Sequence, residues 1–451
     1  VIDLSGKNVA VVGLGTSGLA AARLCLRHGA RVLLNDAKRE AELGSGVRDL
    51  VAQGASLVAG GHEGAGLEGM DLVVISPGVP SFPALARAER AGTRIVGEIE
   101  LAVLALRDPP PIVAVGGTNG KSTTTCLIGA MLEAHGLSTF TGGNLGEPLA
   151  DHEAESFEAI VLEVSSFQME RVETFKPRVS VLLNVTEDHL DRYESFAAYA
   201  HAKGNAFARQ TGDDAAVVPH GDEVCLQEAA RGRGRVVTFG PGGTLDVKGD
   251  AIVDTRSGER FARADIAIEG GHNALNAAAA IAAATELGVG PDTCRAVLAS
   301  FRGLPHRMVL VGEVSGVKFY DDSKGTNVGA VVTALQGMVE PKAVLIAGGR
   351  DKGGSYAPLV QALREKGRAA VLIGEAADAI ARAIGDALPV KRAPSLADAV
   401  RAGAALARPG DAVLLSPACS SYDMFRDYKH RGDEFVRAVQ ALARGDREER
   451  S

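Results

Sequence analysis

Lysine and serine directly behind a run of glycines are the residue types that grip a nucleoside triphosphate. This chain has them in Gly116-Gly117-Thr118-Asn119-Gly120-Lys121-Ser122. The run follows the apolar stretch Ile112–Val115 and precedes a stretch of helical character, Thr123–Ala134. In a strand–loop–helix layout the backbone N–H groups of the loop and of the helix N-terminus face a bound anion. An ammonium at Lys121 can reach the β- and γ-phosphates, and the Ser122 hydroxyl can ligate Mg²⁺. One position departs from the strict pattern: five residues before Gly120 stands Val115, not glycine. The match is to a variant loop, G-T-N-G-K-S. A plain glycine turn with a chance Lys-Ser pair is the bland alternative.

A second glycine loop, Gly13-Leu14-Gly15-Thr16-Ser17-Gly18, lies between an expected strand, Asn8–Val12, and an expected helix, Leu19–His28. Its G-x-G-x-x-G spacing brings backbone close to a diphosphate, and Asp36 lies about twenty residues on, where an acid can bond a ribose. NAD fits this loop, a UDP diphosphate fits it equally well, and a tight strand–helix turn needs no ligand.

Other polar residues follow expected strands. Glu163, at the C-terminal end of the expected strand Ala159–Val164, can hold Mg²⁺ directly or through water, or else is a solvated loop acid. The segment Asn184–Tyr193 follows the strand Val179–Leu183 and sets His189 among acids at a strand end, where histidine more often carries function. Lys203 falls on an expected helix, and spacing alone makes it an ordinary surface lysine. Later, Asp321–Asn327, Gly348–Lys352 and Ser416–Asp423 follow the strands Val317–Tyr320, Ala343–Ala347 and Ala412–Leu415. Loops after parallel strands converge on one sheet edge, and the Lys, Thr and Ser here are donors for carboxylates. Cys419 lacks a nucleophile motif and reads as a small buried residue.

The elements that position these groups alternate strand and helix, the mark of parallel sheets with crossover helices. Strands are expected also at Arg31–Leu34, Asp71–Ser76 and Ala369–Ile373, and helices at Glu98–Arg107, ahead of Pro109-Pro110-Pro111, and at Ala274–Ala284. Gly303-Leu304-Pro305 reads as a hinge, and the charged tail from Arg444 as frayed. The expected fold is α/β in three domains: residues 1–96, Rossmann-like; 97–304, a P-loop mononucleotide-binding domain of ATPase type; and 305–451, again Rossmann-like.

Composition narrows the function classes. A chain of 451 residues, 46% hydrophobic and 23% charged, suits several globular domains. Its net charge of −8 argues against a general nucleic-acid binder. Five scattered cysteines without C-x-x-C argue against a zinc site or a disulfide framework and suit a reducing compartment. No apolar run is long enough to span a bilayer, and Asp3 and the glycines leave no visible signal peptide, so a cytoplasmic protein is expected.

Taken together, these segments make the chain resemble the Mur ligases, ATP-dependent amide-forming enzymes of peptidoglycan synthesis. The family's G-T-N-G-K-[ST], Glu-x-Ser-Ser-Phe-Gln, Asn-x-x-x-Asp-His and His-Asn-x-x-Asn-Ala segments stand here at Gly117–Ser122, Glu163–Gln168, Asn184–His189 and His272–Ala277. The resemblance covers nearly the whole chain. Asp322–Asn327 and Leu415–Ser421 make it most like the members that add D-glutamate to UDP-N-acetylmuramoyl-L-alanine. Departures are Gly325, where alanine is common, and Tyr422 and Tyr428, where Leu and Phe are frequent.

The resemblance implies UDP, not NAD, in the first domain, held by Gly15, Thr16, Ser17, Asn35, Asp36 and Gly78, with Asn144 also on that substrate. It implies ATP on Gly116, Gly117, Thr118, Asn119, Gly120, Lys121, Ser122 and Thr123, with adenosine near Asn273, Asn276 and Arg307 and ribose near Asp322. It implies two Mg²⁺ ions, one on Ser122 and Glu163, the other on His189 and a carbamate carried by Lys203. An ammonium cannot ligate a metal, whereas a carbamate supplies carboxylate-like oxygens. D-glutamate would meet Lys324, Thr326, Lys352, Ser421, Tyr422 and Tyr428. Lys121, Asn144, His189 and Lys203 would be catalytic. An acyl phosphate would form and then react with the amine, with closure of the third domain about Gly303–Pro305 keeping water out. A monomer acting on small molecules, with neither nucleic acid nor membrane insertion, is expected. Rival readings are a folylpolyglutamate synthase or another Mur-type ligase, an NAD-dependent oxidoreductase, and a non-catalytic nucleotide sensor. The N-terminal glycine domain speaks against the folate enzyme, the loop at Lys121 against the oxidoreductase, and the filled catalytic positions against the sensor.

Overall fold

The computed structural model describes residues 1–268, 270–352 and 354–449, with side chains through Arg444. It is an α/β protein with three sheets, divided into two compact units. The first unit comprises Val1–Val185, Ala197–Ile266 and Leu275–Phe301, and the second Thr186–Phe196, Ala267–Ala274 and Arg302–Ser451. Among the described residues no helix is long and apolar enough to cross a membrane.

The first unit carries two sheets. Strands β1 (Asn8–Val12), β2 (Arg31–Asp36), β3 (Ser56–Ala59), β4 (Leu72–Ile75) and β5 (Arg94–Gly97) pair in parallel in the order β3-β2-β1-β4-β5. Val9, Ala10, Val11 and Val12 are fully buried, as expected of a strand covered on both faces. The order reverses beside β1, and the first glycine loop leaves from that point. The helix Thr16–Arg27 then packs down through Ala20, Ala21, Leu24 and Cys25. Gly18 permits that approach: a Cβ there would lie 1.9 Å from the Gly13 carbonyl oxygen.

The second sheet holds β6 (Ile112–Gly116), β7 (Thr139–Gly143), β8 (Ala159–Glu163), β9 (Val179–Leu182), β10 (Ala215–Pro219), β11 (Arg235–Phe239), β12 (Leu245–Lys248), β13 (Ala251–Asp254) and β14 (Arg260–Ala262). Their order is β14-β13-β12-β11-β10-β9-β6-β8-β7, parallel except for the β12–β13–β14 meander. Val115 is buried inside β6 between Glu163 and Val181, so the strand runs on where a longer loop would place glycine. The helix after the loop starts at Lys121, earlier than its expected Thr123, because Gly120 turns the chain at φ 84°. Glu163 is the last residue of β8, which ends one residue before the expected Val164. The helix from Glu98 closes at Ala105, short of Arg107, because Leu106 is already extended at φ −60°, ψ 131°.

The second unit is built on β15 (Val309–Val314), β16 (Val317–Asp321), β17 (Ala343–Gly348), β18 (Gly367–Ile373), β19 (Val390–Arg392) and β20 (Ala412–Leu415), in the order β15-β16-β20-β17-β18-β19. Only β15 runs antiparallel. Leu345, Leu372 and Leu414 face one apolar layer, and Ile346, Val371 and Val413 the other. The helix Tyr428–Glu449 carries the backbone past Arg444, where a frayed tail is expected; Arg450 and Ser451 lie outside the described residues.

Candidate active site

The first glycine loop is an anion cradle made of backbone. The helix from Thr16 begins without a side-chain cap, and Gly15 and Thr16 are exposed, so its first-turn N–H groups are left for an anion. Asp36 braces the loop: its Oδ2 accepts from Leu14 N at 2.8 Å and its Oδ1 from Lys38 N at 2.9 Å. Ser76 Oγ donates to Gly13 O at 2.5 Å. Asn35 is 0% exposed and its side chain is committed inside the protein. It donates to Val58 O (2.9 Å) and Gly61 O (2.8 Å), and its Oδ1 meets His62 Nδ1 at 2.6 Å. The UDP contact implied for that side chain therefore becomes a bracing role. Gly78 turns at φ 85°.

The second loop gathers charge. Lys121 Nζ folds back onto Gly117 O (2.9 Å) and Thr118 O (2.8 Å). Lys203, on the helix Phe196–Gly204, donates to the same Gly117 O at 2.9 Å. It is only 5% exposed, so the surface-lysine reading does not hold. Its ammonium lies 4.5 Å from the centre of the Tyr199 ring, and Tyr199 Oη meets Thr118 Oγ1 at 3.2 Å. Asn184 fixes the loop from the other side: its carbonyl accepts from Thr118 N (2.9 Å) and its Oδ1 from Asn119 N (2.9 Å). Neither Tyr199 nor Asn184 is assigned a role by the sequence motifs, although Tyr199 precedes Lys203 by one helical turn.

Ser122 Oγ donates to Glu163 Oε2 at 2.5 Å, and Asn144 Nδ2 to Glu163 Oε1 at 2.7 Å. Glu163 is 3% exposed, which excludes a solvated loop acid. A hydroxyl and a carboxylate side by side at a phosphate loop are the hard oxygen donors that Mg²⁺ takes from protein while phosphate and water complete its shell. The residues present fit that ion. Asn276 comes to the same loop: a Cβ on Gly120 would lie 2.4 Å from its Oδ1.

In the second unit Asp188 is the hub. Its carboxylate meets Lys352 Nζ at 3.5 Å and Asn327 Nδ2 at 3.2 Å, beside a cavity of about 240 Å³ lined also by Thr186, Tyr356 and Ala418. His189 follows with φ 56°, a left-handed conformation that costs a non-glycine residue energy and occurs at functional positions. Lys324 Nζ lies 3.4 Å from Tyr428 Oη and 5.1 Å from its ring centre. Thr326 N donates to Lys324 O at 2.9 Å. Ser421 is buried, whereas Tyr422 is 66% exposed and not packed into the group. Cys419 is buried, and burial pushes its thiol up to about 11, which rules out a ready nucleophile.

Asp322 is buried; it accepts from Ser416 Oγ at 2.7 Å, and its buried Oδ1 has no hydrogen-bond partner among the described residues. Burial raises its carboxyl to about 6, against the pull of Arg307. An orphaned acceptor fits a hydroxyl donor such as a ribose. His272 is held down to about 4, chiefly by burial and then by Arg307, and so stays neutral. Arg431 is a residue that no motif singles out. Its guanidinium, 1% exposed, donates to Ser323 Oγ (3.0 Å), Ser323 O (2.8 Å) and Cys419 O (3.2 Å), tying the loop after β16 to the loop after β20.

Three family models match: "Mur ligase MurD-like, N-terminal domain" over residues 7–97, "Mur ligase middle domain" over 115–284, and "Mur ligase, glutamate ligase domain" over 306–419. A UDP-N-acetylmuramoylalanine--D-glutamate ligase from Geobacter metallireducens is 44% identical, over 99% of this chain and 100% of its own. One from Anaeromyxobacter dehalogenans is 45% identical over 98% and 99%. Among solved structures, the UDP-N-acetylmuramate-alanine ligase MurC of Thermotoga maritima superposes with TM-score 0.63 at 21% identity, covering 97% of this chain and 100% of that one. The MurF ligase of Thermotoga maritima in complex with ADP gives 0.61 at 17%, covering 99% and 96%. These two establish the shared fold, and the three family models with the full-length relatives establish that the chain belongs to the Mur ligases.

Proposed function

We propose that this chain is an ATP-dependent acid–D-amino-acid ligase that joins D-glutamate to UDP-N-acetylmuramoyl-L-alanine, releasing ADP and phosphate, in peptidoglycan precursor synthesis. The observation that carries the reading is the convergence of Lys121, Lys203, Ser122, Glu163 and Asn144 on one glycine loop in a chain 44% identical, end to end, to a ligase of that name.

In this scheme Gly15, Thr16, Ser17 and Gly78 bind the UDP portion mainly through backbone, and Asp36 sets the loop. Gly116 to Thr123 hold the ATP phosphates, and Lys121 leaves its two carbonyl partners to meet the γ-phosphate. Asn276 supports the loop, with Asn273, Arg307 and Asp322 on the nucleoside. Ser122 and Glu163 would hold one Mg²⁺, and His189 with a carbamate on Lys203 a second; bound metal neutralises charge on the transferring phosphoryl group. The Lys203 amine must be neutral to take up CO₂, and its nitrogen is buried at the Gly117 carbonyl that Lys121 also meets. Asn144 and His189 orient the L-alanyl carboxylate as it attacks the γ-phosphorus. The amine of D-glutamate then attacks the acyl carbon, gives up a proton and displaces phosphate, leaving the amide; the D-glutamate carboxylates pair with Lys324 and Lys352 and hydrogen-bond Thr326 and Ser421, with Tyr428 alongside.

The test is phosphate release from ATP and Mg²⁺ with UDP-N-acetylmuramoyl-L-alanine and a panel of amino acids. Release is expected with D-glutamate. Release with L-lysine or diaminopimelate, but not with D-glutamate, would assign the chain to another Mur ligase activity.

A further inference from the structure

His62 has no place in the scheme above, yet its surroundings fix its chemistry. The ring lies in the loop after β3, next to Gly60 and Gly61, whose N–H groups donate to Lys38 O and Asp36 O. It stacks on Phe82, with ring centres 3.9 Å apart and planes 18° from parallel. Its Nδ1 meets Asn35 Oδ1 at 2.6 Å. The Asn35 amide cannot be turned the other way, because its Nδ2 already donates to two carbonyls, Val58 O and Gly61 O. An amide oxygen only accepts, so His62 Nδ1 must carry the proton. In the neutral ring Nε2 then presents a lone pair. Among the described residues no hydrogen bond engages it, and the residue is half-buried. The ring therefore offers one oriented acceptor.

Its place in the sheet says what that acceptor would meet. His62 follows β3 and Phe82 follows β4, and in the strand order β3-β2-β1-β4 the two strands between them are β2 and β1. These carry Asp36 and the glycine loop. A nucleotide on such an edge sets its diphosphate at the helix N-terminus after the first strand and its ribose at the acid after the second. The base lies beyond the ribose, toward the loops that carry His62 and Phe82. Uracil presents an N3–H donor there, whereas cytosine has a lone pair at N3.

We propose that His62 Nε2 accepts the uracil N3–H of the nucleotide substrate and makes the first crevice selective for uridine over cytidine diphosphates. The inference rests on UDP being the ligand of that crevice. Titration calorimetry on the whole protein with UDP, CDP and N3-methyl-UDP tests it. The wild type should bind UDP about tenfold or more tightly than either analogue, the size of one well-placed hydrogen bond. His62→Phe keeps a ring on Phe82 and should bind all three ligands alike, with the KM values for ATP and D-glutamate unchanged. Equal binding of UDP and N3-methyl-UDP by the wild type would overturn the proposal whether or not the variant folds. So would a His62→Phe protein that keeps the wild-type preference, or that loses affinity for all three ligands equally. A wild type that binds none of the three would instead remove the assignment of UDP to the crevice.

Discussion

The two glycine loops share one layout, strand, glycines and uncapped helix, but differ in what surrounds them. Around Gly13–Gly18 the braces are Asp36 on a loop N–H and Ser76 on a loop carbonyl. Around Gly116–Ser122 two lysines donate to one carbonyl, Gly117 O, and a buried carboxylate sits against the helix's first serine. A diphosphate that is only held needs oriented N–H groups. A triphosphate that is broken also needs the charge of its transition state neutralised. Glycine spacing thus announces an anion, and the charges packed against the glycines tell whether the anion is held or cleaved.

If the loops divide the work this way, Lys121→Ala should be the most damaging change. We expect kcat to fall about 10³-fold or more, the scale for removing a charge that acts on the transferring phosphoryl group. The KM for the UDP substrate should stay at its wild-type value in a phosphate-release assay. A matching rise in that KM would mean the two loops are not separate in function. Lys203→Ala should cost about 10²-fold in kcat. Because the proposed role is a carbamate's, short carboxylates such as formate or acetate should restore part of the rate. Full activity of the variant would remove Lys203 from the site, and a loss without any rescue would leave it a plain cation on Gly117 O.

Much of this contrast is legible in the sequence. Lys121 and Ser122 follow an apolar strand, and Glu163, Asp322 and Ser416 stand at or just past strand ends, where parallel α/β sheets gather ligands. The central strands of each sheet are apolar on both faces and readable as runs. Peripheral strands are not: β14 and β19 have three residues each, and the β12–β14 meander mixes apolar with charged residues. β10, with Ala215–Val218 buried, carries a signal as clear as that of β6, although the strands expected from sequence do not include it. Buried polar residues are the hardest to see. Lys203 and Arg431 both lie on helices, where a charge alone suggests a solvent face, although each stands one turn from a buried aromatic, Tyr199 and Phe435. Asn35 looks like a ligand residue because it adjoins Asp36, but its amide is consumed by Val58, Gly61 and His62. What a polar side chain has left for a ligand depends on contacts tens of residues away in sequence, which no local pattern contains.

The mildest of these tests sharpens the comparison from the holding side. Asp36 gives one oxygen to Leu14 N and the other to Lys38 N. Asp36→Asn keeps the shape and one acceptor but turns an amide N–H₂ toward one of those backbone donors. Donor would then face donor, and the loop must shift to relieve it, at a cost of about 1–2 kcal/mol. Since nothing in the phosphoryl-transfer machinery touches Asp36, that cost should appear as a rise of about tenfold in KM for the UDP substrate. The value of kcat and the KM for ATP should not change. A loss in kcat comparable to that of Lys121→Ala would show that the first loop does more than hold, because removing a contact that binds substrate and transition state equally cannot lower the rate of the bound complex.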